Sequence, residues 1–375
     1  FYAVGFTLIV YIIKNIFLVF FNWSQANFVF KTQLELSKEI FEGYLKMPYS
    51  FFLKTNSSIL IRNIVNEVNV LTSTLQSVVI LLSEIFVFFT ISVLLLIVEP
   101  TATLVIVFIF GFSALIFYLI NHKRIKHWGI IRQDADSDKI KSVQEAIKGI
   151  KEIKIYKSEN FFLDSFNANI KKSCEMAKNI SFLSSIPRQW FEVLAVFTFM
   201  VLFYILRQSN YSVSEIIGIL ALFAVASFRL MPSINKILAS IQLIIYNLPV
   251  INLLKQEFIN IRSESKPISK KLDNMEFKSL EIKNMSFEYE PGKQILNKVN
   301  LKINKNDAIG VIGPSGSGKT TFINILMGLT QPTSGTISLN NKPLLGQVDS
   351  WQSIIGYVSQ NIFMLDDSIL SNIKL

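Results

Sequence analysis

Residues 313–320 have the types and spacing of a phosphate-binding loop, with the pattern G-x-x-x-x-G-K-[ST]. Glycines in such a loop let backbone N–H groups turn onto phosphate oxygens, because no Cβ stands in the way. We predict that Lys319 reaches the β and γ phosphates of a nucleotide and that Thr320 ligates Mg²⁺. The predicted nucleotide-binding residues of this segment are Gly313, Pro314, Ser315, Gly316, Ser317, Gly318, Lys319, Thr320 and Thr321.

Such a loop needs a strand before it and a helix after it to hold its backbone. Residues 307–312, Asp-Ala-Ile-Gly-Val-Ile, form an apolar run typical of a buried strand. Residues 321–328 have helical spacing and end at a glycine, which is a common helix stop. The helix would add the positive end of its dipole to the anion site. This context favours a nucleotide site over the alternative of a Gly/Ser-rich turn without function.

The composition of the chain indicates a membrane protein. Of its 375 residues, 51% are hydrophobic and only 17% are charged, and the mean hydropathy is +0.42. The single cysteine, Cys174, excludes a disulfide framework or a cysteine-based metal site within the chain. The net charge of +10 is also compatible with nucleic-acid binding. However, membrane topology explains the distribution of Lys and Arg better, so we predict no nucleic-acid partner.

Five apolar stretches are long enough, or nearly so, to cross a hydrocarbon core of about 30 Å as helices of about 20 residues. They cover approximately residues 1–28, 68–98, 102–121, 190–206 and 216–246. Any one of them is compatible with a buried helix of a soluble protein, but the succession favours a bundle of transmembrane helices.

The distribution of basic residues orients this bundle. The short connection 99–101 contains no Lys or Arg, whereas the long connection 121–189 is rich in both. By the positive-inside rule the long connection and residues 31–62 lie in the cytoplasm, and the segment around Ser209 and Asn210 lies outside. We therefore predict a multi-pass protein of the cell inner (cytoplasmic) membrane, with its nucleotide-binding part in the cytoplasm.

The polar part of the long connection keeps an apolar helical spacing, and no proline occurs between Pro100 and Pro187. We therefore predict helices that extend well beyond the membrane. Two short breaks, residues 47–52 (the first tip) and 156–162 (the second tip), carry aromatic side chains at the ends of these extensions. The tips either contact another part of the protein or only lock neighbouring helices together.

A soluble part follows the helices. Residues 262–271 are polar and read as a linker, after which glycines become frequent. Residues 280–289 and 299–303 alternate as strands with one buried face. The predicted domains are a transmembrane domain of five spans at 1–258, a linker at 259–279 and the N-terminal part of a nucleotide-binding domain at 280–375.

The phosphate loop, the membrane helices before it and the two aromatic tips together resemble the ABC exporter family. The resemblance implies an α-helical transmembrane bundle followed by a partial α/β P-loop nucleotide-binding domain. It implies that Tyr289 stacks on adenine, that Gln360 acts in catalysis by meeting Mg²⁺ and the attacking water, and that ATP and Mg²⁺ are the cofactors. The two tips would be coupling helices that dock on the nucleotide-binding domain, and residues 361–373 would contact the membrane domain.

Family members carry six transmembrane helices per half, and two halves form a homodimer or a heterodimer. In this comparison the first helix is missing, and no signature motif, acidic Walker B strand or switch His follows Lys319. No initiator Met or signal peptide precedes Phe1, so we expect the chain to be a fragment. We expect the full-length protein to be an ABC-type transporter ATPase whose site is completed by the second half.

Ionisable side chains inside the spans are hypotheses for function, because they are costly to place in lipid. They are Lys14, Glu84, Glu192, Arg229 and Lys236. Arg188 and Glu192, four residues apart on a helix, either form an ion pair or contact the substrate. Residues 186–192 and 228–236 resemble segments of bacterial lipid-linked oligosaccharide flippases. This resemblance implies that Arg229 contacts a pyrophosphate head group as the substrate crosses the membrane.

The function predicted from these features is ATP-driven export or flipping of an amphipathic substrate, in particular a lipid-linked saccharide, within surrounding membrane lipids. A peptide or drug is the alternative substrate. Two functions of other classes also remain open: a membrane-anchored nucleotide-dependent regulator without transport, and a structural half that borrows catalysis from a partner chain.

Overall fold

The computed structural model describes residues 2–208, 212–264, 275–290, 292–360 and 362–374, and it divides the chain into two compact units. Unit 1 comprises Phe1–Leu45 and Thr55–Ser263, and unit 2 comprises Lys46–Lys54 and Glu264–Leu375. The first tip therefore groups with the C-terminal part of the chain, although long helices precede and follow it.

Unit 1 is built from long helices joined by short ones. The long helices are α1 (Tyr2–Leu45), α4 (Val68–Val98), α5 (Pro100–Lys148), α7 (Glu159–Gln208) and α8 (Val213–Glu264). The short ones are α3 (Ser57–Arg62), a π-helix (Asn63–Glu67) and α6 (Ile150–Tyr156), while α2 (Tyr49–Lys54) lies in unit 2. In the described part of the chain, 5 helices are long and apolar enough to span a membrane, which confirms the predicted helical bundle.

The helices continue past the apolar stretches, as predicted. α5 runs to Lys148 in the polar connection, and α7 begins there at Glu159. Pro187 lies inside α7 without ending it. The second tip breaks at Lys157, whose φ of 52° is left-handed and ends α6. The predicted outside turn at Ser209 and Asn210 lies outside the described residues.

Apolar layers hold the helices of unit 1 together. Phe110 of α5 stacks on Phe191 of α7 with 5.5 Å between ring centroids, and Ile234 and Leu238 of α8 join this cluster. In contrast, the most apolar window of α1 is 0% buried. An apolar helix surface without cover inside the chain is suited to contact with lipid or with another helix.

Unit 2 contains an antiparallel sheet with the strand order β2-β1-β3-β4. The strands are β1 (Ser279–Glu288), β2 (Gln294–Asn304), β3 (Ser334–Leu339) and β4 (Lys342–Pro343). Leu280 and Ile282 of β1 are buried against Phe322 and Ile325 of α9 (Lys319–Leu326). These elements confirm the predicted strands at 280–289 and 299–303 and the helix after the loop. A 3₁₀ turn (Leu344–Gly346), α10 (Val348–Gln352) and α11 (Ile369–Ile373) complete the described elements of unit 2.

The strand predicted at residues 307–312 is wrong. These residues pair with no strand of the described sheet, and Ile312 is 97% exposed. A strand of continuous apolar type needs partners on its edges and cover on both faces. The sheet described here supplies neither to this segment.

The region between the two parts of the chain is partly helical. α8 continues to Glu264, inside the segment predicted as a linker, and β1 begins at Ser279. The predicted linker residues 265–274 lie outside the described residues.

Candidate functional site

The phosphate loop has a backbone that only glycine adopts without strain. Gly316 and Gly318 have φ values of 81° and 88°, in the left-handed region. A Cβ on Gly318 would lie 2.9 Å from Cγ2 of Ile295, so the loop is also too close to β2 for a side chain there. Ser317 closes the turn by donating its backbone N–H to the carbonyl of Pro314, at 3.3 Å.

Lys319 is held directly over this loop. Its Nζ donates to the carbonyl oxygens of Gly313 and Pro314, each at 2.7 Å. As the first residue of α9, it also places its charge at the positive end of the helix dipole. The structure therefore concentrates positive charge where the loop turns, which is the arrangement that a phosphate chain requires.

The helix α9 is fixed by its buried face. Phe322 and Ile325 enter the core of unit 2, and Phe322 donates its backbone N–H to the carbonyl of Gly318 at 2.8 Å. Thr320 is exposed and Thr321 is buried. The hydroxyl of Thr320 is thus accessible for the predicted Mg²⁺, whereas Thr321 faces the protein.

Tyr289 is attached to this helix from the end of β1. Its hydroxyl lies 3.3 Å from Oγ1 of Thr321, and its ring meets that of Phe287 edge to face at 4.8 Å between centroids. The side chain is 42% exposed. The structure therefore fixes one edge of the ring beside the phosphate loop and leaves part of its surface open for a flat group.

Gln360 is not brought to the loop by a hydrogen bond among the described residues. It is exposed, and the segment before it is irregular, with Val358 exposed by 89%. Its predicted role therefore remains a prediction. The following segment is ordered locally: the backbone N–H of Leu365 donates to Oδ1 of Asn372 at 2.7 Å. Asn361, at its start, lies outside the described residues.

The end of this segment carries a helix cap. The side chain of Ser368 accepts from the backbone N–H of Ser371 at the start of α11. The backbone N–H of Ser368 donates to Asp367 at 2.6 Å and lowers the pKa of that carboxyl group. The cap holds α11 in place while Phe363 and Ile369 remain exposed by 75% and 79%.

A groove of about 1280 Å³ within unit 2 connects the first tip with the nucleotide part. Pro48, Ser50 and Leu53 of the tip line it together with Tyr289 and Pro332. Phe51 and Phe52 meet edge to face at 5.4 Å within the tip. The turn 329–333 that lines the groove was not singled out by the sequence, although Gln331-Pro332-Thr333 after a helix-ending glycine is a visible turn signal.

The ionisable residues of the spans fall into separate groups. Lys236 of α8 lies 2.7 Å from Oε1 of Glu84 in α4, and the hydroxyl of Ser233 donates to Oε2 at 2.7 Å. Arg188 and Glu192 form an exposed ion pair at 3.3 Å, and their contact with substrate stays a prediction. Arg229 is exposed on α8. Lys14 lies over the ring of Tyr11, 5.1 Å from its centroid.

Two family comparisons match the chain. Residues 1–230 match the family described as ABC transporter transmembrane region, and residues 296–372 match the family described as ABC transporter. The first match covers more than half of the chain and the second contains the phosphate loop.

Individual relatives are distant and longer. An ATP-dependent lipid A-core flippase of Burkholderia orbicola is 23% identical over 347 residues, which are 91% of this chain and 57% of the relative. A lacticin-481/lactococcin-DR transport/processing ATP-binding protein of Lactococcus lactis is 26% identical over 367 residues, 93% of this chain and 49% of the relative. ABC transporter C family member 8 of Dictyostelium discoideum is 27% identical over 215 residues, 56% of this chain and 13% of the relative. The chain thus spans little more than half the length of these curated relatives, or less.

Proposed function

Because the chain belongs to the ABC transporter family, we propose that it is the membrane-spanning and phosphate-binding part of a protein that uses ATP to export or flip an amphipathic substrate. One observation carries this proposal. The same chain contains apolar helices long enough to span a membrane and a phosphate loop whose carbonyl oxygens bind the Lys319 ammonium. The grouping of the first tip with unit 2 supports it, since a transporter needs contact between its helices and its nucleotide part.

The residues of the loop fit ATP and Mg²⁺. The left-handed glycines leave a cradle without side chains, and the Lys319 ammonium lies over it. Lys319 would hold the β and γ phosphates, Tyr289 would stack on the adenine, and Thr320 and Gln360 would contribute oxygens to Mg²⁺. When bound, ATP supplies the phosphoanhydride bond whose hydrolysis drives transport.

The proposed transporter consists of two halves, of which this chain belongs to one. We infer a homodimer or heterodimer in the cell inner membrane, with the nucleotide parts in the cytoplasm. The exposed apolar residues around α11 support contact with a second protein surface, and the exposed apolar surface of α1 is suited to lipid or to a partner helix.

A lipid-linked saccharide is the substrate that we propose. The Burkholderia relative is described as a lipid A-core flippase, and Arg229 offers an exposed guanidinium on α8 that is suited to bidentate contact with phosphate. The second candidate is a peptide, because the Lactococcus relative is described as a transport/processing protein for lacticin-481 and lactococcin-DR.

Stimulation of ATP hydrolysis distinguishes these substrates. The intact purified protein in lipid nanodiscs would be given a pyrophosphate-linked lipid saccharide or an amphipathic peptide at matched concentrations. We expect the lipid saccharide to raise the hydrolysis rate and Arg229→Ala to reduce that stimulation about tenfold, because one charge-assisted contact is lost. Full stimulation of Arg229→Ala, or stimulation by the peptide alone, would contradict the substrate proposal. Hydrolysis that responds to no substrate would favour a nucleotide-dependent regulator.

A further inference from the structure

Polar side chains that the proposed function does not use are buried where α1, the π-helix, α5 and α8 meet in unit 1. The hydroxyl of Tyr44 donates to Glu257 at 3.0 Å and accepts from Nδ2 of Asn63 at 2.9 Å. Nη2 of Arg62 donates to Oδ1 of Asn63 at 3.1 Å. These contacts join α1, the π-helix and α8 through one continuous chain of hydrogen bonds.

Glu67 ends the π-helix and is only partly satisfied. It is 1% exposed, and its Oε1 lies 3.4 Å from Nε of Arg62, an ion-pair contact in which this Nε makes no hydrogen bond among the described residues. Its second oxygen, Oε2, is buried and has no hydrogen-bond partner among the described residues. A buried carboxylate oxygen without a donor is costly, so the site has an unmet requirement for a second cation or donor.

Arg132 of α5 has buried N–H donors that lack acceptors among the described residues. Its Nη1 lies 3.7 Å from Asp136, but in the described part of the chain its Nε and Nη2 are buried without hydrogen-bond partners. The helix α3, which leads directly into the π-helix, packs against α5, and the charge of Arg132 acts on the Glu67 carboxylate. Glu67 and Arg132 thus each have one ion-pair partner and each keep buried polar atoms without a hydrogen-bond partner, and no ion pair joins the two among the described residues.

The surroundings hold Arg132 in place, whereas Glu67 lies in an irregular helical segment. The Arg132 guanidinium lies over the ring of Tyr246, 5.4 Å from its centroid. One turn earlier on α5, Gly129 touches the backbone of α8 so closely that a Cβ would lie within 2.0 Å of the Tyr246 carbonyl oxygen. Glu67 lies in a π-helix, a rare geometry with more residues per turn than an α-helix, so conversion to α-helix would change the direction in which its side chain points.

We propose that Glu67 is an exchangeable carboxylate that pairs with Arg62 in the present state of the helix bundle and with Arg132 in a second state. The inference rests on the proposed function, because a transporter must move between at least two arrangements of its helices. Each arginine then stabilises a different state, and Glu67 is a positioning residue that neither substrate nor nucleotide touches.

Spin-label distances between the halves of the assembled protein test this exchange. Cys174, the only cysteine of the 375 residues, is exposed on α7 and provides the label site once cysteines elsewhere in the intact protein are replaced. The ratio of the two distance populations would be measured with and without ATP and vanadate. The variants are Arg62→Gln, Arg132→Gln, and each of them combined with Glu67→Gln.

We expect Arg62→Gln and Arg132→Gln to shift the population ratio in opposite directions, each by about tenfold, within the range of known coupling energies. In the variants that also carry Glu67→Gln, both shifts of the population ratio should fall below about twofold, because the carboxylate that pairs with either arginine has been removed. A merely structural role predicts shifts in the same direction or none. Either result, or opposite shifts that persist with Glu67→Gln, would overturn the exchange.

Two controls keep the outcome interpretable. If the glutamine variants do not yield folded protein, Arg62→Lys and Arg132→Lys retain a charge and should give smaller shifts of the same opposite signs. If the lysine variants shift the population ratio in the same direction, or not at all, the proposed exchange is also overturned. The unmodified protein reports on the proposed function separately, since a distance that ignores ATP would reject transport itself and the exchange with it.

Discussion

At the scale of single residues, Lys319 and the turn before it form the proposed phosphate site. Its ammonium is satisfied by two loop carbonyls at 2.7 Å, and these lie on glycine and proline positions of the same turn. Gly316 and Gly318 have left-handed φ values and leave the turn without side chains at these positions. The proposed phosphate site therefore consists mainly of backbone, with the Lys319 ammonium held against it.

Tyr289 gives a prediction at this scale. We expect Tyr289→Ala to weaken ATP binding about tenfold or more, because stacking of an aromatic ring on a base contributes about 1–3 kcal/mol. Tyr289→Phe keeps the ring and removes only the 3.3 Å contact of its hydroxyl with Thr321, so it should bind within about threefold of the unmodified protein. Titration of a fluorescent ATP analogue measures both. Equal weakening in the two variants would show that the hydroxyl, and not the ring, makes the contribution.

The crossing of α5 and α8 gives a prediction at the scale of secondary structure. Gly129→Ala would place a methyl group within 2.0 Å of the Tyr246 carbonyl oxygen, a backbone atom that cannot move alone. The helices must separate, and we expect a loss of about 1–3 kcal/mol of stability, as for overpacked cores. Thermal unfolding of the purified protein in detergent would show a lower midpoint.

Gly111→Ala is the matched control for that measurement. It lies in the same helix, and a Cβ there meets nothing within 4 Å. Since alanine favours helix more than glycine does, this variant should be neutral or more stable. A midpoint that falls equally in both variants would reject a close helix crossing at Gly129.

The elements differ in how far their own sequence could predict them. β1 was predicted because its alternating residues, such as Leu280 and Ile282, bury one face against α9. Residues 307–312 have an equally clear apolar pattern, but a strand forms only where a neighbouring strand accepts its hydrogen bonds, and periodicity does not report on neighbours.

The same limit applies to the sites. The phosphate loop is contiguous in sequence, so its residue types alone predicted it. The polar junction of Arg62, Glu67 and Arg132 is not predicted by the sequence, because Arg132 of α5 is distant in the chain from the other two and only the packing of α3 on α5 brings it near them. The π-helix itself has no distinctive residue pattern in Asn63–Glu67.

At the scale of the whole molecule, the two units divide the work of the proposed transporter. Unit 1 supplies apolar helices whose exposed surfaces suit lipid, and unit 2 supplies the phosphate loop together with the first tip. The tip and Tyr289 line one groove, so a change at the nucleotide site can reach the chain segment that leads back into the helices. This arrangement is the physical basis for proposing that ATP drives movement of the bundle.

In the proposed function the phosphate loop powers transport by the helices, and a flipping assay in proteoliposomes tests this dependence most directly. The intact protein would be reconstituted with a fluorescent pyrophosphate-linked lipid saccharide, and its appearance in the opposite leaflet would be followed with and without ATP. We predict ATP-dependent flipping that falls about a hundredfold or more in Lys319→Ala, since a charge that stabilises phosphate is removed. Lipid movement that is independent of ATP, or unchanged in Lys319→Ala, would contradict this dependence.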